Sequence, residues 1–206
     1  MKIFRNKKEL LQEWKTNGAC DEGKRFNKSC KNLQEILEKC PLNFRIWRLA
    51  HGYVQFAEYC PWDKITGTGW SLILSEQPQF ADKCNWEKLD GWDWLILLIK
   101  KPQFAEKCNW EKLNGFHWMV LLIEKPQFAS RCNWDKLSGE NWVDLLSEKP
   151  QFANKCKWGK LSNEDWIDLL SAKPQFAKKC KWEKLSNEDW KILLESQPQF
   201  EKYKKF

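Results

Sequence analysis

The chain has 206 residues, with 35 Lys and Arg against 28 Asp and Glu, a net charge of +7. That length holds one or two domains, and a charge of that size suits solubility but on its own is weak evidence for a nucleic-acid partner. No apolar run approaches the ~18–20 residues that span a bilayer, and the early "LLQEWK" is too charged for a signal-peptide core, so the expectation is a soluble cytoplasmic protein with no membrane partner.

The basic excess is uneven: residues 1–60 carry 12 basic and 7 acidic side chains, the rest 23 and 21. "KKELLQEWKTNG" reads as a helix stopped by Gly18. "NLQEILEKCP" reads as a second, capped by Asn32 and stopped before Pro41, and "FRIWRLAHG" as a third. Residues 1–53 thus form an expected N-terminal helical cap, which can also carry a function of its own.

From residue 54 the chain repeats itself. Cys60, Cys84, Cys108, Cys132, Cys156 and Cys180 stand 24 residues apart, each followed two residues later by a tryptophan (Trp62 to Trp182). A second tryptophan ladder runs from Trp70 to Trp190 and a phenylalanine ladder from Phe56 to Phe200, so twelve of the fifteen tryptophans belong to two repeat slots. Lys-Pro, as at Lys101-Pro102, opens a short helix or 3₁₀ segment, since proline suits the first helical position. "NWEKL" turns the chain, and a start signal such as "SNEDW" opens a second helix of about three turns, with Ser162 as cap and Glu164 and Asp165 near the positive end. Trp166, Leu169 and Leu170 then fall at i, i+3, i+4, a core stripe. One unit cannot bury its aromatics alone, but stacked units can. The expected fold is therefore all-α, a right- or left-handed α-solenoid of about six 24-residue repeats over residues 54–206, ending in a capping segment 198–206. There Glu201, Lys204 and Phe206 take the alanine, cysteine and tryptophan slots.

Chemistry-bearing motifs are scarce. Ladder cysteines about 10 Å apart are too distant for disulfides, and no C-x₂₋₄-C pair offers a zinc knuckle; they read as small buried apolar residues in a reducing compartment. Cys20, Cys30 and Cys40 with His51 can be read as a zinc site or a thiol–imidazole pair, against the plainer reading as cap core. No phosphate loop, HExxH or GxSxG is present, and the repeated "KLxG" reads as a turn. The recurrent glutamine (Gln55 to Gln199) reads as a core-adjacent amide bonding backbone between repeats. The expectation is no enzyme, no cofactor and no metal.

Function in a solenoid lies in slots that vary. With the second-helix tryptophan at 0°, positions −2, +1, +2 and +5 fall at about 160°, 100°, 200° and 140°, the outer side. In repeats four to six these slots are mostly polar. In repeats two and three they hold Trp92, Leu95, Ile96 and Ile99, then Phe116, Met119, Val120 and Ile123, an expected apolar patch of the kind that marks an interface. A partner protein or second copy, the N-terminal cap, or a small ligand can each cover it. Two lysine rows, before the cysteines and before the leucines, add an alternative. Thickened by Lys157 and Lys181, the residues Lys155, Lys160, Lys179 and Lys184 can follow a nucleic-acid backbone, or be solvated lysines complementing helix ends and acids.

The block "PQFAxKCxWxKLxGxxWxxLL", over about residues 53–200, resembles Trp-rich tandem repeats in uncharacterised proteins of gut bacteria and their phages, and its architecture is similar to leucine-rich repeat variant solenoids. The "LEKCPLNFRIW" stretch of the cap looks faintly like immunity proteins of phage and toxin loci. The resemblance implies no activity; taken as a mark of origin, it implies an inhibitor or adaptor of a host defence protein. The sequence thus points to a non-enzymatic protein-binding repeat module.

Overall fold

The computed structural model describes residues 2–17 and 20–204, and every regular element among them is helical. Two compact units divide the chain, residues 1–108 and 109–206.

The first unit opens with four cap helices, α1 (Lys7–Asn17), α2 (Asp21–Ser29), α3 (Leu33–Lys39) and α4 (Leu42–Ala50). Three of them match the sequence reading; α2 does not. Its sequence "DEGKRFNKS" has a glycine in its first turn and one large apolar residue, Phe26, so it carries no core stripe. Its cap is the Cys20 thiol, which accepts from the Gly23 amide at 3.4 Å. Gly18, expected to stop α1, lies outside the described residues. After α4 the chain reverses at Gly52, whose φ of 82° is the left-handed conformation that glycine adopts without strain. Gln55 then clamps the N-terminal segment: Phe4 N donates to its Oε1 (2.7 Å) and its Nε2 donates to Phe4 O (2.9 Å).

The repeats follow as expected, the short segment of each unit being formed by 3₁₀ turns. In the first unit α5 (Gly67–Glu76) and α6 (Gly91–Lys100) stack side by side, with α4 against α5. In the second, α7 (Gly115–Glu124), α8 (Gly139–Glu148), α9 (Asn163–Ala172) and α10 (Asn187–Ser196) stack in sequence. Neighbour-on-neighbour packing of a 24-residue unit is the packing of an α-solenoid. Each helix starts the same way. Thr66 caps α5, and Asp90, Asn114, Ser138, Ser162 and Ser186 cap α6 to α10 in full capping boxes closed by Asp93, His117, Asn141, Asp165 and Asp189.

The core is a run of aromatic sandwiches. In every repeat the tryptophan of the 3₁₀ turn stacks on the helix tryptophan of its own unit, as in Trp86–Trp94 (5.6 Å, 13°) and Trp134–Trp142 (5.4 Å, 13°). It also leans on the phenylalanine of the following 3₁₀ turn, as in Trp134–Phe152 at 5.6 Å. Such pairs add roughly 0.5–1.5 kcal/mol beyond the burial of their area. At the end of the stack Tyr203 lies flat on Trp182 (4.7 Å, 6°) and closes it. Phe206, expected in the terminal tryptophan slot, lies outside the described residues.

Polar repeat letters join the units. Lys136 Nζ donates to the Glu111 and Leu113 carbonyls (2.8 and 2.9 Å), and Lys160 Nζ to those of Asp135 and Leu137 (2.6 and 2.7 Å). Lys88 does the same with Asp63 and Ile65. The lysine before each of these ladder leucines is thus a clip on the preceding repeat. The "KLxG" glycine is not a turn residue but the first residue of the helix, where the next repeat comes too close for a side chain: a Cβ on Gly115 would stand 2.2 Å from the Lys136 carbonyl oxygen. Asn163 replaces that glycine in repeat five and instead donates to Lys184 O (2.9 Å) and Asp189 Oδ2 (2.8 Å). The recurrent glutamine, by contrast, is exposed in every unit from Gln79 to Gln199. Gln55 is the member of that row that bonds backbone; Gln79 merely donates to Gln77 (2.8 Å). The residue after the opening proline of a 3₁₀ turn faces outward, whereas the phenylalanine beside it points in.

Candidate functional site

The expected apolar patch divides into buried and exposed members. On α6, Trp92 is 54% and Ile96 44% exposed, Ile99 is half-buried, and Leu95 is 3% exposed. On α7, Phe116 is 44% exposed, Val120 and Ile123 are half-buried, and Met119 is 5% exposed. Leu95 and Met119 therefore do not belong to an outer surface. Both occupy the +1 slot, about 100° from the core tryptophan, and in a stacked array that flank faces the neighbouring helix. Ser71 in the same slot of α5 shows the contact, its Oγ donating to Asp93 Oδ1 of α6 at 3.3 Å. The exposed arc of a stacked helix is narrower than a free helical wheel suggests.

The same geometry adds a residue. Leu72 holds the +2 slot of α5, beside Ile96 in the +2 slot of α6, and is 40% exposed. Neighbouring helix axes lie about 8–10 Å apart, so Leu72, Trp92 and Ile96 form one apolar strip on the first unit. The cap helices do not bury it. The strip rests on a fixed helix start: Asp90 anchors α6, with Asp93 N donating to Asp90 Oδ1 (2.9 Å) and Asp90 N to Asp93 Oδ2 (3.1 Å). Burial raises the pKa of the Asp93 carboxyl above the usual carboxylate range, against the hydrogen bonds from Asp90 N, Thr68 and Ser71.

The lysines of the alternative site are differently employed. Lys160 is one of the clips described above, and Lys157 pairs with Asp135. Lys155 is exposed. Lys179, Lys181 and Lys184 converge on a cleft of about 50 Å³ beside Trp158, too small to take a stacked base.

None of the nine cysteines is in a disulfide. Burial pushes Cys84, Cys132, Cys156 and Cys180 up to about 12 and Cys60 to about 11, so these ladder thiols stay protonated and behave as small apolar groups. In the cap, Cys20 is exposed, and His51 is stacked on Trp47 (3.9 Å) with its Nδ1 on the Trp47 carbonyl (2.8 Å). Among the described residues no three His, Cys, Asp or Glu side chains gather as metal ligands, and no helix is long and apolar enough to cross a membrane.

Sequence reasoning missed two cap residues. Arg45 and Arg48 are 2% and 3% exposed. Arg45 donates to the Glu38, Cys40 and Phe56 carbonyls, all at 3.2 Å, and so uses the carbonyl-rich end of α3. Arg48 has no such anion-like partner among the described residues. Comparison with protein-family models, with curated proteins and with solved structures gives no match for the chain.

Proposed function

We propose that the chain is a non-enzymatic protein-binding repeat module whose contact surface is the outer strip Leu72, Trp92 and Ile96. The observation that carries this reading is the exposure of three large apolar side chains on adjacent helices, 40%, 54% and 44%. Apolar surface grouped in this way marks interfaces on soluble proteins, and tryptophan is among the residue types most enriched at their energetic centres. Phe116, Val120 and Ile123 repeat the pattern on the second unit. Within each unit the stacked helices hold these side chains in place, which lowers the ordering cost of binding. The resemblance to gut-bacterial and phage repeats favours an inhibitor or adaptor acting on a host defence protein in the cytoplasm as the form of that binding.

The test compares wild type with Trp92→Glu/Ile96→Glu, both exposed positions where a charge is expected to leave the fold intact. Wild type is expected to capture a partner protein from host lysate, or to self-associate on dilution-series sedimentation, and the double variant to lose that ability. Equal behaviour of the two folded proteins refutes the strip.

Convergence of Lys179, Lys181 and Lys184 supports a second reading, a nucleic-acid surface. It requires binding to single-stranded RNA or DNA that weakens steeply with salt and is lost when Lys155, Lys179, Lys181 and Lys184 become Glu. Lys160 is not changed in that test, because its loss would loosen the repeat stack.

A further inference from the structure

A guanidinium this deeply buried ordinarily has a carboxylate beside it, because an unpaired buried charge is costly. Arg48 has none among the described residues. Its Nη1 donates to the Cys40 thiol (2.6 Å) and its Nη2 to Asn27 Oδ1 (2.9 Å), both neutral acceptors. Burial keeps Cys40 protonated, even with Arg48 beside it. Aromatic faces supply the rest of its surroundings, Trp14 at 4.4 Å and Phe56 at 4.6 Å from the guanidinium carbon, with Phe26 at 5.8 Å and Phe44 at 6.0 Å. Those faces offset part of the charge but offer no lone pair, and the hydrogen bonds to Cys40 and Asn27 use two of the five donors a guanidinium carries.

Arg48 also forms part of the wall of a cavity of about 340 Å³ between α1, α2 and α4. Trp14, Phe44 and Trp47 make its apolar walls, Gly23 leaves one side without a side chain, and Asn43 and the exposed Cys20 complete the lining. That volume is at the small end of ligand pockets, which run from about 300 to 1,000 Å³. No acidic side chain lines it.

We infer that the cap binds a small monocarboxylate with a flat apolar body, the carboxylate on Arg48 and the ring between Trp14, Phe44 and Trp47. A carboxylate matches the planar fork of a guanidinium with two parallel hydrogen bonds. A phosphate dianion would bring a second negative charge, and Arg48 is the one cation among the described residues that line the cavity. This site lies in the cap and stands independently of the outer strip on α5 and α6.

The experiment titrates the full chain with phenylacetate, 3-phenylpropionate and indole-3-acetate by calorimetry and ligand-observed NMR. The comparison compounds are 3-phenylpropanamide and phenyl phosphate. At least one acid is expected to bind with a Kd below about 1 mM, and 3-phenylpropanamide at least about tenfold more weakly than 3-phenylpropionate, the factor that corresponds to about 1.4 kcal/mol. Arg48→Met should abolish binding, but removing a buried guanidinium can also unfold the cap, so Gly23→Leu is the second variant. The φ of Gly23 is not in the left-handed region, and a Cβ there meets nothing nearer than Cys20 Sγ at 3.4 Å. Gly23→Leu should fill the cavity and remove binding, with the melting curve of the wild type retained. The inference is overturned by no binding of any acid at about 10 mM, a concentration well above the expected Kd, by equal binding of acid and amide, by tighter binding of phenyl phosphate, or by undiminished binding to a folded Gly23→Leu protein.

Discussion

Gly115 and Gly159 offer the same substitution in opposite surroundings. In Gly115→Ala the new methyl would stand 2.2 Å from the Lys136 carbonyl oxygen and 2.5 Å from Asn141 Oδ1. An ordinary carbon–oxygen contact is about 3.3–3.6 Å, so α7 and the next repeat's 3₁₀ turn must part by about 1 Å. Overpacking of this kind costs about 1–3 kcal/mol. Asn141 Oδ1 also accepts from Ser138 N in the capping box of α8 (3.2 Å), and disturbing a cap costs about 1 kcal/mol more. Against this stands a gain of up to about 1 kcal/mol from alanine's helix propensity. The net expectation is a loss of about 2 kcal/mol, equivalent to roughly 4–8 °C in Tm for a chain of this size. A Cβ at Gly159 would meet nothing within 4 Å, so Gly159→Ala should be neutral or stabilising by up to about 1 kcal/mol through the unfolded chain. Urea and thermal melts of the two variants decide the matter. A Gly115→Ala protein as stable as Gly159→Ala would refute the close inter-repeat approach on which the stack is built.

Lys160→Met should lower stability by about 1–2 kcal/mol in urea melts, because it removes two charge-assisted bonds to carbonyls of the preceding repeat; Lys155→Met, at an exposed position, should change it by less than about 0.5 kcal/mol. Leu95→Asp should destabilise by several kcal/mol or unfold the protein, whereas Trp92→Glu should leave the melting curve nearly unchanged, the two substitutions reporting the buried and exposed sides of one helix. Cys20 should react with a thiol reagent in the native protein at neutral pH, and Cys84, Cys132, Cys156 and Cys180 should react on unfolding. Their raised pKa also fixes a sign. Between about pH 9 and 12 the unfolded chain has lost thiol protons that the folded chain keeps, so these residues make stability fall as pH rises through that window and contribute no pH dependence below it. Cys156→Ala should flatten the fall measured by urea melts from about pH 8 to about pH 11.

The period, the helix starts and the aromatic ladders were legible because every repeat states them again, and a letter fixed six times over points to a shared environment. Applied to lysine, the same logic finds the clips: Lys88, Lys136 and Lys160 recur as faithfully as the leucines beside them, and recurrence signals a structural role more than a ligand. The glutamine row is a counterexample, since a recurrent letter there faces outward. Leu95 and Met119 could not be placed from a wheel drawn on one helix, because which flank meets the next repeat is a property of the stack. α2 was hidden by its composition. The buried arginines were hidden too, for "FRIWRLAHG" presents Arg45 and Arg48 three apart among apolar letters, and nothing local distinguishes a guanidinium among rings from one in water.

Once the recurrent polar letters are assigned to joints between repeats, little of each repeat remains free to vary without loosening the fold. The caps, the clips and the first-helix glycines are committed; the +1 flank is covered. What is left is chiefly the −2 and +2 slots, two side chains per helix. Chemistry that needs several converging polar groups does not fit on so narrow an arc, but recognition by a few apolar anchors on rigid supports does. The cap is under no such constraint. Its helices repeat nothing, so it can hold a buried cation beside a cavity without imposing that arrangement on every unit. The two proposed sites, one on the repeats and one in the cap, are therefore separable, and Trp92→Glu/Ile96→Glu and Gly23→Leu should each remove one and spare the other.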